Sequence, residues 1–249
     1  TFTAPASQTM TFAALPGNAP EFNNVVFNAG ASTVTFTMAT NALSWSGTLT
    51  VQGVPGTTTL LTSDLGLNGG AVTVGNGGVL TANASAAVVS NVSLTGGTSG
   101  TITLTTGSWT VGGNWDTSGA GSTLSTGTST VTFTGAAMTI NLAAGQRFWN
   151  LTVSGTVSIL STVTASATLT VANGAVLTMT GQSIAFNGLT ENGSGSILDG
   201  TITVVNFSVA NSDPTNITTI SAFSTWTVDA HYNWTDTSTV GTSTITFTI

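Results

Sequence analysis

The sequence predicts an all-β fold built as a solenoid of short strands. Two observations point to strands: apolar residues alternate with Thr or Ser along much of the chain, and no apolar period of 3.6 residues lasts more than two turns. Corners such as Asn-Gly, Gly-Gly and Asp-Gly separate the alternating runs and supply the positive φ angles of tight turns. A third observation, a long internal repeat, indicates growth by repetition.

The predicted strands share β-branched residues, which suit a pleated surface. In chain order they are Thr33–Met38, Leu43–Val51, Thr101–Thr105, Thr130–Thr134, Asn150–Val153, Thr168–Val171, Val176–Thr180, Thr201–Val205 and Thr242–Phe247.

The repeat is clearest between Ser108–Gly135 and Thr225–Ile249. Trp109 aligns with Trp226, and the Asn-Trp pair at Trp115 recurs at Trp234. Thr-Phe-Thr closes both stretches and also opens the chain, so Phe2, Phe133 and Phe247 occupy the same point of the repeat. We therefore predict two long repeat units, residues 1–131 and 132–249, within one continuous solenoid.

A second alignment places Ala71–Val89 on Thr168–Phe186 without a gap, and Glu21–Phe27 on Arg147–Val153. The first unit is longer between these two stretches, in the region of 53–70, which predicts one additional coil there. Spacings among Leu151, Leu169, and Ile202 are compatible with coils of about 18–20 residues. We expect these residues and Leu177 to point into the core.

Four motifs support a family resemblance: Asn-Trp at 114–115, STVTFTG at 129–135, FWNLTVSG at 148–155 and TLTVANGAVLTM at 168–179. They resemble the repeats of bacterial surface proteins of the filamentous-haemagglutinin and autotransporter-adhesin type. The resemblance implies a right-handed parallel β-helix exported to the cell surface. Two tandem β-sandwiches of roughly 115–130 residues each are the alternative, since they also combine short strands with two repeats.

The composition excludes several partners. Only 4% of residues are charged, the net charge is −7 and Arg147 is the one basic side chain. Such a chain has no electrostatic footprint for nucleic acid, and no apolar run reaches the length of a membrane span. The chain has no Cys, so its stability must come from packing and backbone ladders. We expect an extracellular or cell-surface location, with this chain a mature or excised segment.

No catalytic constellation is apparent, and we predict neither an enzyme nor a cofactor or metal site. His231 has only Asp229 and Asp236 near it in sequence, and the other carboxylates are scattered. A metal site or an acid–base pair would need a third converging ligand. These residues are therefore interpreted as loop caps and a solvated strand residue.

The tryptophans admit two interpretations. Trp45, Trp109, Trp115, Trp226 and Trp234 lie in strand-like alternation, so they would fill the solenoid core. The alternative is an exposed aromatic strip that stacks on sugar rings, as in adhesins. Burial distinguishes the two.

Seven Asn-x-Ser/Thr sequons are candidate N-glycosylation sites, which makes glycans possible partners of the surface. They are Asn83, Asn91, Asn150, Asn192, Asn206, Asn216 and Asn233.

Thr-x-Thr pairs recur throughout the chain and resemble the flat Thr arrays of ice-binding solenoids. Such arrays need successive coils to line up on one face. Because the predicted coil length varies, we expect ordinary strand alternation to explain the pairs, without ice binding.

The function expected from these features is a structural subunit of an extracellular filament or sheath, a homopolymer of this chain. Strand continuation at the chain ends would join copies head to tail, because equivalent repeat positions open and close the chain. The predicted interface comprises Thr1, Phe2, Thr3, Ala4, Thr246, Phe247, Thr248 and Ile249. The alternative is an adhesive or carbohydrate-binding stalk segment of a large cell-surface protein.

Overall fold

A computed structural model describes the backbone of residues 1–11, 22–94, 100–192, 196–210, 219–220, 225–234, 239–240 and 244–247. Within these ranges it describes side chains up to residue 187, apart from 180 and 181. The described residues form strands and no helix. The chain divides into two compact units, Thr1–Ser129 and Thr130–Ile249.

The first unit contains thirteen strands among its described residues. They are β1 Gln8–Thr11, β2 Val25–Asn28, β3 Thr33–Thr40, β4 Leu43–Gln52, β5 Thr57–Leu61, β6 Leu67–Val74, β7 Gly78–Thr81, β8 Ala86–Val89, β9 Val92–Leu94, β10 Thr101–Thr103, β11 Ser108–Val111, β12 Trp115–Thr117 and β13 Thr123–Ser125.

The second unit contains eleven. They are β14 Thr130–Phe133, β15 Met138–Leu142, β16 Phe148–Val153, β17 Thr156–Ile159, β18 Val163–Val171, β19 Val176–Asn192, β20 Ser196–Ala210, β21 Thr219–Ile220, β22 Thr225–Trp234, β23 Thr239–Val240 and β24 Thr244–Phe247.

Strands in the first unit stack in three columns, one for each face of a coil. One column is the sheet β1-β3-β5-β7-β10-β13. The second column contains the first parts of β4 and β6, followed by β8 and β11. The third column contains β2, the later parts of β4 and β6, and then β9 and β12. The second unit repeats this three-column plan from β14 to β24.

All these pairings are parallel, which confirms the predicted parallel β-helix and excludes antiparallel tandem sandwiches. Neighbouring strands in such a stack lie about 4.8 Å apart. Coil length nevertheless varies. Thr33 pairs with Thr57, Leu67 with Ala87 and Leu151 with Leu169, offsets of 24, 20 and 18 residues.

The predicted additional coil of the first unit is confirmed by the strand pairing. Phe27 pairs with Val51, and Val51 pairs with Val74. In the second unit Val153, which aligns with Phe27, pairs directly with Val171, which aligns with Val74. The first unit therefore has one coil between aligned positions that the second lacks.

The second unit in turn has one coil that the first unit lacks. Comparing the lengths of the two units did not reveal it. Trp109 pairs with Ala87, whereas Trp226 pairs with Ile202, and Ile202 pairs in turn with Ile184, the residue that aligns with Ala87. The backbone of Ile202 thus pairs with that of Ile184 in the adjacent coil. Its spacing from Leu151 and Leu169 was therefore misleading. Those two residues pair with each other, and the next residue in their column is Leu189.

The core consists of the inward residues of each strand. Leu151, Leu169 and Leu177 are fully buried, which confirms the predicted orientation of all three. The side chain of Ile202 lies outside the described residues. Large aromatic side chains lie in the core, with Phe133 and Phe148 in edge-to-face contact at 6.2 Å between centroids.

Polar side chains at the corners satisfy backbone groups between coils. The Asn24 carboxamide oxygen accepts from the N–H of Thr48 at 2.8 Å, and that of Asn91 accepts from the N–H of Asn114 at 2.7 Å. The buried Thr62 hydroxyl donates to the carbonyl of Ala82 at 2.9 Å. These bonds replace ladder bonds where the chain turns, so loops of different length keep the strands in register.

Truncating a core leucine tests this packing. Leu169→Ala is expected to lower the free energy of unfolding by about 2–5 kcal/mol, because the buried side chain leaves a cavity between two paired coils. The neighbouring outward residue provides the control: Thr170→Ala is expected to change the free energy by less than about 0.5 kcal/mol. Urea unfolding followed by far-UV circular dichroism measures both. Equal effects would contradict the assignment of Leu169 to the core and Thr170 to the outer face.

Candidate functional site

The described acidic side chains act as turn caps. One carboxylate oxygen of Asp64 accepts from the N–H of Ala84 at 2.9 Å. Asp116 accepts from both the N–H and the hydroxyl of Ser118, at 3.0 and 2.7 Å. Arg147 is exposed. No group of three or more His, Cys, Asp or Glu that could hold a metal ion occurs among the described residues.

The His231 region was predicted to be solvated strand and loop. Its backbone lies in β22, where His231 pairs with Asn206. The side chains of His231 and Asp229 are outside the described part of the chain, and so is Asp236 altogether. The interpretation of these three residues stays a prediction.

Three of the tryptophans are core residues. Trp45, Trp109 and Trp115 are at most 1% exposed, and the rings of Trp109 and Trp115 meet edge to face with centroids 6.1 Å apart. The core interpretation is confirmed for these three, which cannot stack on a sugar ring. Trp226 and Trp234 lie in β22 at positions that repeat those of Trp109 and Trp115, and their side chains are not described.

The described sequons differ in how their side chains are used. Asn150 bridges two coils: its amide donates to Thr130 at 3.3 Å, and its oxygen accepts from Thr168 at 2.9 Å. Asn83 is half-buried in a turn with φ of 46°. Asn91 is exposed and uses its oxygen to cap Asn114. Among these three, Asn91 is the most accessible attachment point.

The side chains of the other four sequon asparagines lie outside the described part of the chain. Asn192, Asn206 and Asn233 lie in strands β19, β20 and β22, and their side chains are not described. Asn216 lies outside the described residues.

The first coil extends the core to the predicted interface. Phe2 forms a parallel bridge with Phe27, and their rings stack at 4.9 Å with an interplanar angle of 14°. Phe133 pairs with Val153, the residue that aligns with Phe27, so the predicted equivalence of Phe2 and Phe133 is confirmed. A hollow of about 510 Å³ opens beside Phe2 and is also lined by Met10 and Phe36.

The predicted interface residues of the second unit, 246–249, are described only in part. Thr246 and Phe247 belong to β24, which pairs with β22 through Thr227 and Val228. Thr248 and Ile249 lie outside the described residues.

Sequence analysis missed one surface, which we call the threonine face. It is the outer side of the sheet β1-β3-β5-β7-β10-β13. One column of this face contains Thr35, Thr59, Val79, Thr101 and Thr123, and the next contains Thr9, Thr37, Leu61, Thr81, Thr103 and Ser125. The expectation that variable coil length would prevent such alignment was wrong, because the corners absorb the differences in length. The Thr-x-Thr pairs were the signal for this face.

No family model matches this chain, and no curated protein or solved structure matches it either. None of the described residues forms a helix that could span a membrane. The fold and its described surfaces define the class as a parallel β-solenoid with hydroxyl-rich faces that carry few charges.

Proposed function

We propose that this protein is a structural subunit of an extracellular filament or sheath, in which copies join head to tail by continuing the strand columns. The observation that supports this most directly is the backbone of the first coil. The N–H of Phe2 donates to Val26 at 2.6 Å, and its carbonyl accepts from the N–H of Asn28 at 3.0 Å. In an extended strand adjacent residues direct their backbone groups to opposite sides, so those of Thr1 and Thr3 face away from this pairing.

The side chains of the first coil favour the same contact. Phe2 is half-buried and stacks on Phe27, so a strand added beyond it would complete the burial of an aromatic ring. The hollow beside Phe2 offers additional contact to apolar side chains such as Met10 and to polar ones such as Gln8. Addition of a strand to an open sheet edge is a general mode of association, in which backbone bonds provide affinity and side-chain pockets provide specificity.

Charge and symmetry are compatible with a polymer. Residues 1–11 and 239–249 contain no charged side chain, so the two ends would approach without like-charge repulsion. The two ends differ, which makes the contact heterologous, and heterologous contacts produce open filaments when the rotation does not close. The adhesive alternative relied on exposed tryptophans that stack on sugar rings. Trp45, Trp109 and Trp115 are buried, so they do not support it.

A proline on the open edge tests the proposal. Thr3→Pro removes the N–H that would bond to the next copy and leaves the bonds of Phe2 to Val26 and Asn28 in place. We expect this variant to stay folded and monomeric, while the wild-type chain and the control Thr3→Ala form filaments. Sedimentation velocity and negative-stain electron microscopy measure assembly, and circular dichroism measures the fold.

Deleting residues 244–249 should abolish assembly from the opposite end. Filaments of Thr3→Pro that are indistinguishable from those of the wild type would refute strand continuation at the first coil. A wild-type chain that stays monomeric at high concentration would refute the filament itself.

A further inference from the structure

The threonine face differs from the other outer faces of the first unit. Its two columns contain Thr at eight of eleven paired positions. The outward column of β4, β6, β8 and β11 contains Ser44, Asn68, Val88 and Thr110. That of β2, β4, β6, β9 and β12 contains Val26, Thr50, Thr73, Ser93 and Asp116. Ordinary alternation would distribute Thr equally over three faces, so it does not explain this concentration.

We propose that the threonine face binds the surface of ice. Its residues form a two-dimensional array, with strands repeated about every 4.8 Å along the column and outward residues about every 6.6 Å along each strand. Both distances resemble repeats of the oxygen lattice in ice. Pairing is continuous through all six strands, so the array extends without a slip from Thr9 to Ser125 in its longer column.

The face is rigid because a buried column lies directly beneath it. Phe36, Leu60, Leu80, Ile102 and Leu124 pair in succession and are at most 9% exposed. Thr is β-branched, so few rotamers are open to it on a strand. Little side-chain entropy would then be lost when the face contacts a solid.

The chemistry of the face suits water as the ligand. Each Thr offers a hydroxyl that both donates and accepts, next to a methyl group. Hydroxyls hold waters at fixed positions, and the intervening methyl groups, with Val79 and Leu61, favour ordered water around apolar surface. None of the eleven positions is charged, so no ionic hydration shell competes with a neutral lattice.

A crystalline polysaccharide is the other flat ligand to consider. Protein surfaces that hold sugar rings generally use aromatic platforms for stacking. The two columns contain no aromatic residue. The observations therefore favour ice, and binding to a polysaccharide is an outcome that the experiment must distinguish.

The experiment measures thermal hysteresis, the gap between melting and freezing of a single ice crystal in a solution of the full chain. We expect the wild type to show a gap and to be incorporated into growing ice. Thr81→Tyr, at the centre of the face between Leu61 and Thr103, should lose most of the gap. The matched control Thr110→Tyr introduces the same side chain on another outer face and should keep the gap.

Equal circular dichroism spectra and urea midpoints would establish that both tyrosine variants fold. The face excludes Thr3, so the measurement can be repeated on the Thr3→Pro chain, and its result is independent of filament formation. A wild type without a gap, or equal losses in both tyrosine variants, would overturn the proposal. Co-sedimentation with microcrystalline cellulose or chitin that Thr81→Tyr abolishes, without thermal hysteresis, would overturn it in favour of a polysaccharide.

Discussion

Replacing Trp45 by alanine is expected to lower the free energy of unfolding by about 3–5 kcal/mol. The indole is 1% exposed and donates its N–H to the carbonyl of Ala71 at 3.0 Å. Gly69, its partner on the next coil, provides the room: a Cβ there would lie 2.6 Å from Cδ2 of the indole. Truncation therefore opens a large cavity and leaves a carbonyl without its donor.

Trp149→Ala provides the matched control, because Trp149 is half-buried on an outward position of β16. We expect it to cost less than about 1 kcal/mol, because truncating a half-buried outward ring leaves no enclosed cavity. Urea unfolding with an unchanged slope measures both variants. A loss from Trp149→Ala as large as that from Trp45→Ala would contradict the assignment of core and surface.

Replacing Gly77 by alanine is expected to cost about 2–5 kcal/mol. Gly77 has φ of 69°, which an L-residue adopts at a cost of about 1–2 kcal/mol. A Cβ would in addition clash with the carbonyl oxygen of Gly53 and lie 2.6 Å from that of Gly56. These oxygens belong to the backbone of the adjacent coil, so relieving the clash requires the coils to separate, a cost of about 1–3 kcal/mol.

The control is the equivalent glycine of the other repeat. Gly174 follows Asn173, as Gly77 follows Asn76, and its φ is 74°. A Cβ on Gly174 would meet nothing within 4 Å. Gly174→Ala should therefore cost only the backbone strain, about 1–2 kcal/mol. Denaturation midpoints of the two variants measure the difference, and equal midpoints would contradict the tight approach of coils at Gly77.

Local patterns were sufficient to predict the parallel solenoid and the inward direction of Leu151, Leu169 and Leu177. Alternation with period two fixes which residues share a face of a strand, independently of what the strand packs against. The same pattern could not decide whether Trp45 lies inside or outside. That depends on which of the two faces of its strand meets the core.

The candidate site shows where sequence reasoning failed. Thr-x-Thr pairs were visible, but their alignment into the threonine face was rejected because the coils differ in length. Thr33 pairs with Thr57 and Thr101 with Thr123, offsets of 24 and 22 residues, and the columns still match. The additional residues are accommodated at the corners, where side chains such as Asn24 and Asn91 bond to the backbone of the next coil.

The sequence by itself determined many of the strands, the turns at Asn76-Gly77 and Asn173-Gly174 with glycine at positive φ, and the repetition of coils. These follow from backbone sterics and side-chain alternation, which act over a few residues. Only the tertiary structure decided which threonines form one face, and why Gly77 is enclosed while Gly174 is open. The reason is that both properties depend on atoms of the adjacent coil, about twenty residues away, whose position is set by corner hydrogen bonds and core packing.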